Sequence, residues 1–196
     1  MLELELKARV DDPDAVRAAL RRHGATCTFA GRLQDRRHDR GGELAEQDQV
    51  LRVRHRMPLE GTPTEVVAWK GPTHTHDGYK ARLEHEAVLA PGERIGAIID
   101  ALGYQVTEVI DRHVEVWQLD GGAARIEWYP EMDVLLEVEG DAAAIERLIS
   151  ATGLPREAFS AEPLPAFAAA YQRRTGRTAV LALSDGPPSH WPRGTP

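Results

Sequence analysis

Cysteine is nearly missing from this sequence: Cys27 is the one cysteine among 196 residues. A single thiol builds neither a disulfide framework nor a thiolate metal cluster, and it reads as a small core residue. No run of about 18 apolar residues occurs, which excludes a transmembrane helix and leaves no membrane partner. The opening Met1-Leu2-Glu3-Leu4-Glu5 lacks the basic and apolar regions of a secretory signal, so a cytoplasmic protein is expected. Positive charge is in deficit: 24 Lys and Arg against 31 Asp and Glu give a net charge of −7. That balance argues against a general nucleic-acid binder. What remains is a globular composition, 42% apolar and 28% charged, on a length that suits one domain. One domain over 1–178 is expected, followed by an extension over 179–196. The extension is expected to be partly mobile, because Ser184-Asp185-Gly186-Pro187-Pro188 is turn-like.

Four helices are predicted. The first covers 13–23, with Asp12 as N-cap, Pro13 at the first position, an apolar face of Ala15, Val16, Ala19 and Leu20, and Gly24 as the stop. The others cover 93–102 before Gly103, 142–151 before Gly153, and 164–174 with Phe167 and Tyr171 one turn apart. Between them the hydrophobic period changes to two, the mark of strands. Strands are predicted at 2–10, 50–57, 65–70, 79–89, 111–119, 123–128 and 134–139, with another after the first helix and a short one at 179–183. The stretches 40–49 and 71–78 read as loops. Seven or eight strands with short helices indicate an α+β fold on a mainly antiparallel sheet. Leu4-Glu5 to Gly24 and Leu83-Glu84 to Gly103 share one plan, with the glycine 20 residues after the leucine in both. Two readings stand: a duplicated strand–helix–strand unit that closes a barrel, or a coincidence of local grammar.

The charges fall in an unusual place. Glu3, Glu5 and Lys7 share one face of the first strand, opposite Leu2, Leu4 and Leu6. Arg52 and Arg54, extended by Arg56, repeat this on another strand, and Lys70 shares a face with Val66 and Ala68. Further sets are Lys80, Arg82, Glu84 and Glu86, then Arg112, then Arg125 with Glu127, then Glu137 with Glu139. Each strand alone is compatible with a solvated outer face. The set is not so easily explained, because acids and bases occur in blocks and not mixed with Ser, Thr and Gln. Faces converging inside a closed barrel would suit a polyanion with divalent metals: carboxylates take hard cations, and Arg and Lys take phosphate oxygens.

The N-terminal Glu3-Leu4-Glu5-Leu6-Lys7 resembles the ExExK signature of the CYTH superfamily, the triphosphate tunnel metalloenzymes. This superfamily includes class IV adenylate cyclases, thiamine triphosphatases and inorganic tripolyphosphatases. The resemblance continues in order through Leu51-Arg52-Val53-Arg54, Trp69-Lys70-Gly71, Arg82-Leu83-Glu84-His85-Glu86, Arg112, Glu127 with Pro130, and Glu137-Val138-Glu139-Gly140. It covers about residues 1–175. It implies an eight-stranded antiparallel β-barrel, a tunnel, with helices packed outside. Glu3, Glu5, Glu137 and Glu139 would hold Mg²⁺ or Mn²⁺. Lys7, Arg52, Arg54, Lys70, Arg82 and Arg112 would cradle the phosphates of a small-molecule triphosphate. Lys7 and Glu127, the latter where Asp is usual, would act in catalysis, and Glu84 and Glu86 would orient cations or help with metal. The activity implied is metal-dependent hydrolysis of a triphosphate compound. The alternatives are a class IV adenylate cyclase making cyclic AMP and pyrophosphate, or a non-catalytic polyphosphate- or nucleotide-binding module.

The sequence departs from the family pattern at four places. Ile110 stands where a lysine is common, a loss for which Arg36 or Arg37 could compensate. Gln34-Asp35-Arg36-Arg37-His38-Asp39 lacks the usual aromatic after the aspartate, Ala169-Ala170-Tyr171 stands near a Lys-Ser-Tyr-like element, and Asp133 replaces a glycine. Arg36-Arg37-His38 reads equally as a phosphate site or a surface charge run. Thr73-His74-Thr75-His76-Asp77 lacks the three or four ligands of a transition-metal site and reads as solvated loop. His85 is expected on the outer surface. Trp69, Trp117 and Trp128 are expected in the core, Trp128 facing a covering helix. A homodimer is compatible with such a barrel.

Overall fold

The structure, a computed structural model, describes residues 2–90, 94–184, 186–194 and 196. Glu93, the expected start of the second helix, and Met1 and Asp185 lie outside the described residues. Among the described residues the elements run β1 (Leu2–Val10), α1 (Pro13–Arg22), β2 (Thr26–Asp39), β3 (Val50–Pro58), β4 (Thr64–Lys70), β5 (His74–His76), β6 (Tyr79–Leu89), α2 (Ile95–Ala101), β7 (Gln105–Leu119), β8 (Gly122–Trp128), β9 (Val134–Gly140), α3 (Ala142–Thr152) and α4 (Leu164–Thr175).

Antiparallel pairing runs β1-β9-β8-β7-β2-β3-β4-β6, and β6 returns to β1 through Leu2↔Leu83 to Glu5↔Lys80. The ring is therefore closed: an eight-stranded antiparallel barrel with helices outside, as expected. β5 stands apart from the ring as a short arm paired with β6. The stretch 71–78, expected to be loop, therefore contains a strand. Asp77 and Gly78 both have positive φ, 49° and 84°, and such a two-residue turn matches the twist of a hairpin. β7 begins six residues earlier than expected, because long β2 supplies partners as far as Asp39↔Gln105. The expected strand at 179–183 is reduced to one bridge, Val180 to Glu131.

The repeat seen in the sequence is a pseudo-twofold axis. Glu3 pairs with Arg82 and Leu33 with Arg112, each 79 residues apart, the same offset as Gly24 to Gly103. Exchanging β1 with β6, β2 with β7, β3 with β8 and β4 with β9 returns the same ring order. Coincidence of local grammar does not fix both register centres, so the duplicated-unit reading holds.

The hydrophobic core lies outside the barrel. Leu6, Ala8, Ile126, Leu136 and Val138 point outward from the wall and pack against Val16 and Leu20 of α1 and Ile145 and Leu148 of α3. Both helices start on an aspartate cap: Asp12 accepts from the Ala15 amide at 3.0 Å and Asp141 from the Ala144 amide at 2.7 Å. A Cβ on Gly122 would lie 2.7 Å from a methyl of Leu148, so a glycine there lets α3 close on β8. Arg17 ties α1 to the wall through two bonds of 2.8 and 2.7 Å to the fully buried Glu115, its guanidinium 5.0 Å from the centre of the Trp128 ring. Trp117 and Trp128 are buried, whereas Trp69 is half-buried and stacks on exposed His85. At one end of the barrel, Leu164 and Phe167 of α4 pack on Ile110, Tyr129 and Leu135. Trp191 of the extension is buried and donates to the Tyr129 carbonyl at 3.1 Å. No helix among the described residues is long and apolar enough to cross a membrane.

His113 sits in the outer core against Trp128 and Trp191, 3% exposed, with its Nε2 unpartnered. Burial, helped by the Arg17 charge, pulls its pKa from 6.5 down to about 4. The unfolded chain therefore binds the proton first as pH falls, and stability declines between about 6.5 and 4 by at most about 3 kcal/mol. Denaturant titrations across that range are expected to show a shallower pH slope in His113→Phe than in the natural protein.

Candidate active site

Because side chains alternate along a strand, outward apolar residues on β1, β8 and β9 commit their neighbours to the interior. Those neighbours are charged. The main interior cavity, about 510 Å³, is lined by nine cations: Lys7, Arg37, Arg52, Arg54, Lys70, Lys80, Arg82, Arg112 and Arg125. Five carboxylates share it: Glu5, Asp35, Asp48, Glu127 and Glu137. A chain with a net charge of −7 thus encloses a cavity with an excess of positive charge.

Asp35 organises the arginine half. It takes Arg54 in a two-point grip of 2.6 and 2.8 Å, Arg112 at 3.1 Å, and has Arg52 at 3.7 Å. Burial alone would raise its carboxyl, but the charges of Arg112, Arg54 and Arg52 outweigh this and hold it well below 3.8. Arg112 also donates to Glu127 at 2.8 Å, and the other oxygen of Glu127 accepts from the Tyr129 hydroxyl at 2.6 Å. Burial lowers Arg112, yet Asp35 and Glu127 more than restore it. Arg52 receives less support; burial and the neighbouring Arg54 bring it down to about 10.

The lysine half lies on β1, β4, β6 and β9. Lys7 bridges Glu5, at 2.9 Å, and Glu137. Burial opposes its charge, but the two carboxylates more than compensate and keep it protonated. Lys80 reaches Glu5 at 2.5 Å, and Lys70 lies between Glu3 at 2.8 Å and Glu84 at 2.9 Å. Arg82 is held at the mouth by the Gly71 and Asp48 carbonyls, at 2.6 and 2.5 Å.

All six expected phosphate-binding residues, Lys7, Arg52, Arg54, Lys70, Arg82 and Arg112, line this one cavity. The expected metal set is divided: Glu5 and Glu137 line the main cavity, whereas Glu3 and Glu139 line a separate opening with Glu84 and Glu86. Among the described residues, no three carboxylate or imidazole groups stand close enough to share a metal ion. The donor chemistry nevertheless fits a hard divalent cation. Glu5 and Glu139 are direct cross-strand partners, an arrangement of like charges that a cation relieves. Glu139 also keeps a buried oxygen without a partner, and burial pushes its carboxyl up to about 7. Of the even alternatives at 36–38, Arg37 turns into the cavity and Arg36 onto the outer wall. Ile110 is 2% exposed and forms part of an apolar ledge with Leu164.

Asp35, Lys80, Arg125 and Tyr129 were not among the expected site residues. Lys80 and Arg125 share strand faces with Arg82 and Glu127, so alternation marks them. Asp35 has the same signal, since it shares a strand face with Leu33 and Arg37 on β2. Arg125 bonds Glu139 at 2.6 Å and Glu137 at 3.5 Å.

No protein-family model matches the sequence, and no curated protein matches it. Solved structures do. The PH1819 protein of Pyrococcus horikoshii OT3 superposes with a TM-score of 0.66 at 18% identity, over 89% of this chain and 99% of that one. A Vibrio parahaemolyticus protein described as a candidate adenylate cyclase gives 0.70 at 16% identity, over 85% and 97%. HpAC1 of Hippeastrum, described as revealing a dominant triphosphatase activity, gives 0.58 at 15% identity, over 90% and 96%. These likenesses show the fold, the tunnel barrel that the ExExK resemblance implied.

Replacing Asp35 with Asn leaves three guanidiniums without their shared buried carboxylate. Removal of one partner from such a cluster costs about 3–5 kcal/mol. Because its native pKa is depressed, the contribution of Asp35 is complete above about 3.8 and is lost as pH falls through the native value. Chemical denaturation at pH 7 is expected to show the full loss in Asp35→Asn, and the difference from the natural protein should narrow below pH 3.8.

Proposed function

We propose that the protein is a metal-dependent hydrolase of triphosphate compounds that works inside the barrel. The observation that supports this reading is the set of nine cations against five carboxylates in one cavity. Arg and Lys match phosphate oxygens in charge and geometry, and phosphoryl transfer asks a protein mainly for positioning and charge neutralisation. Arg52, Arg54 and Arg112 would grip the phosphate chain from one side, in the orientation set by Asp35. Lys7, Lys70 and Lys80 would meet it from the other.

Glu3, Glu5, Glu137 and Glu139 would hold Mg²⁺ or Mn²⁺. When bound, the cation would supply Lewis acidity toward the phosphoryl oxygens. Lys7, kept protonated by Glu5 and Glu137, serves as a fixed charge for the developing negative charge and not as a base. Both oxygens of Glu127 accept hydrogen bonds, so its part in catalysis is to orient Arg112. The start of α4, through Leu164 and Pro165, forms part of the cavity wall.

A class IV adenylate cyclase is the second reading. It is favoured by the apolar ledge of Val50, Ile110 and Leu164 beside the cations, which a bare phosphate chain does not use. Both readings place a small molecule, not a nucleic acid, in the tunnel. A non-catalytic binding module would use the same cations without turnover.

Product analysis with tripolyphosphate and ATP in parallel, each with Mg²⁺, Mn²⁺ or EDTA, separates the three. Metal-dependent orthophosphate release that EDTA abolishes is expected. Cyclic AMP with pyrophosphate would favour the cyclase, and binding without products the module. Arg54→Ala and Glu5→Gln are each expected to lower turnover by about 100-fold in protein that still melts cooperatively. Full turnover in both variants would remove the proposal.

A further inference from the structure

A second cavity, of about 220 Å³, lies beyond the first, and Arg54 and Arg125 line both. Its other polar walls include Arg56 and Glu86, beside the apolar Phe29 and Val66. Arg52, Arg54 and Arg56 share one face of β3, their successive Cα atoms about 6.7 Å apart along the strand, and they pass from the first cavity to the second. The first two are engaged: Arg54 with Asp35, and Arg52 with Glu84 at 3.4 Å. Arg125 is tied to Glu139, although its Nε is buried without a partner.

Arg56 differs from them. Among the described residues it has no carboxylate within ion-pair distance, and its guanidinium lies 4.9 Å from the centre of the Phe29 ring. Burial and the neighbouring Arg54 hold it below its usual pKa, partly offset by the Glu86 charge. Arg56 is thus a half-buried cation against an aromatic ring, in a chamber with three guanidiniums and one carboxylate, Glu86, that does not pair with it.

We propose that this chamber is a second oxyanion subsite, in which Arg56 binds a phosphate-class anion beyond the Arg54–Arg125 wall. The ligand class rests on the triphosphate reading of the main cavity. The anion has two sources: orthophosphate released by hydrolysis, or the terminal phosphate of a chain longer than three.

Calorimetric titration of the full chain at fixed ionic strength tests this with orthophosphate, tripolyphosphate and tetrapolyphosphate. If the source is released product, orthophosphate binds the natural protein even after tripolyphosphate has saturated it. If the source is a chain end, tetrapolyphosphate binds at least fivefold tighter than tripolyphosphate. In either case Arg56→Gln is expected to lose that term at least fivefold, and Arg56→Lys to recover part of it, with melting unchanged. Equal isotherms for Arg56→Gln and the natural protein with all three anions would overturn the subsite, as would absence of both effects in the natural protein. Orthophosphate binding through Arg56 without any tripolyphosphate binding would support the subsite and contradict the reading of the main cavity.

Discussion

A strand face of charged residues can turn inward only if each charge meets a partner there, because an unpaired buried ion costs several kcal/mol. This barrel meets that condition through register. Glu5 pairs across strands with both Lys80 and Glu139, Lys7 with Glu137, and Asp35 with Arg54. The direct pairing of β2 with β7 brings Arg112 diagonally onto Asp35, and closing the ring through β6 and β1 brings Lys70 onto Glu3. The interior is therefore an ionic lattice, and the apolar core is moved outside, beneath α1 and α3. Stability and chemistry are assigned to opposite faces of the same strands.

The two signs are unevenly shared between the main cavity and the opening beside it. Among the residues that line the main cavity, cations exceed carboxylates by four, and the lattice draws on Glu3, Glu84 and Glu139 beyond that lining to hold Lys70, Arg52 and Arg125. A polyphosphate, on the proposed reading, would add negative charge to the main cavity through acceptor oxygens that guanidinium forks recognise. On that reading, several carboxylates would have to share or release their cations as it enters, and Glu5, Glu137 and Glu139 would be among them. Carboxylates freed in this way are suited to a divalent cation. Substrate and metal would then be complementary: each takes partners that the other leaves behind.

Much of this was legible in the sequence, for identifiable reasons. Alternation at Glu3, Glu5 and Lys7 and at Arg52 and Arg54 fixes which faces carry charge, and the Asp12 cap fixes where α1 begins. The offset of 79 residues between the two halves was visible as Leu4 and Leu83. What was not legible depends on contacts across the fold. Asp35 gains its role from β3 and β7, which place three arginines around it. Arg17 and Glu115 are separated by 98 positions, and nothing local in either reveals their pairing. The division of Glu5 and Glu137 from Glu3 and Glu139 between two openings follows from the course of the cavity, which no motif encodes. The Asp77-Gly78 turn was readable in principle; the polar residues around it concealed a three-residue strand.

The central claim is that the barrel interior, and no other surface, receives the phosphate chain. A crystal structure of the protein grown with tripolyphosphate and Mn²⁺ tests it most directly, since Mn²⁺ is located by its anomalous signal. The account predicts phosphates in contact with Arg54 and Arg112 inside the tunnel and Mn²⁺ on the carboxylates of β1 and β9. Phosphate density confined to the outer wall, with the Asp35–arginine cluster undisturbed at saturating ligand, would contradict it.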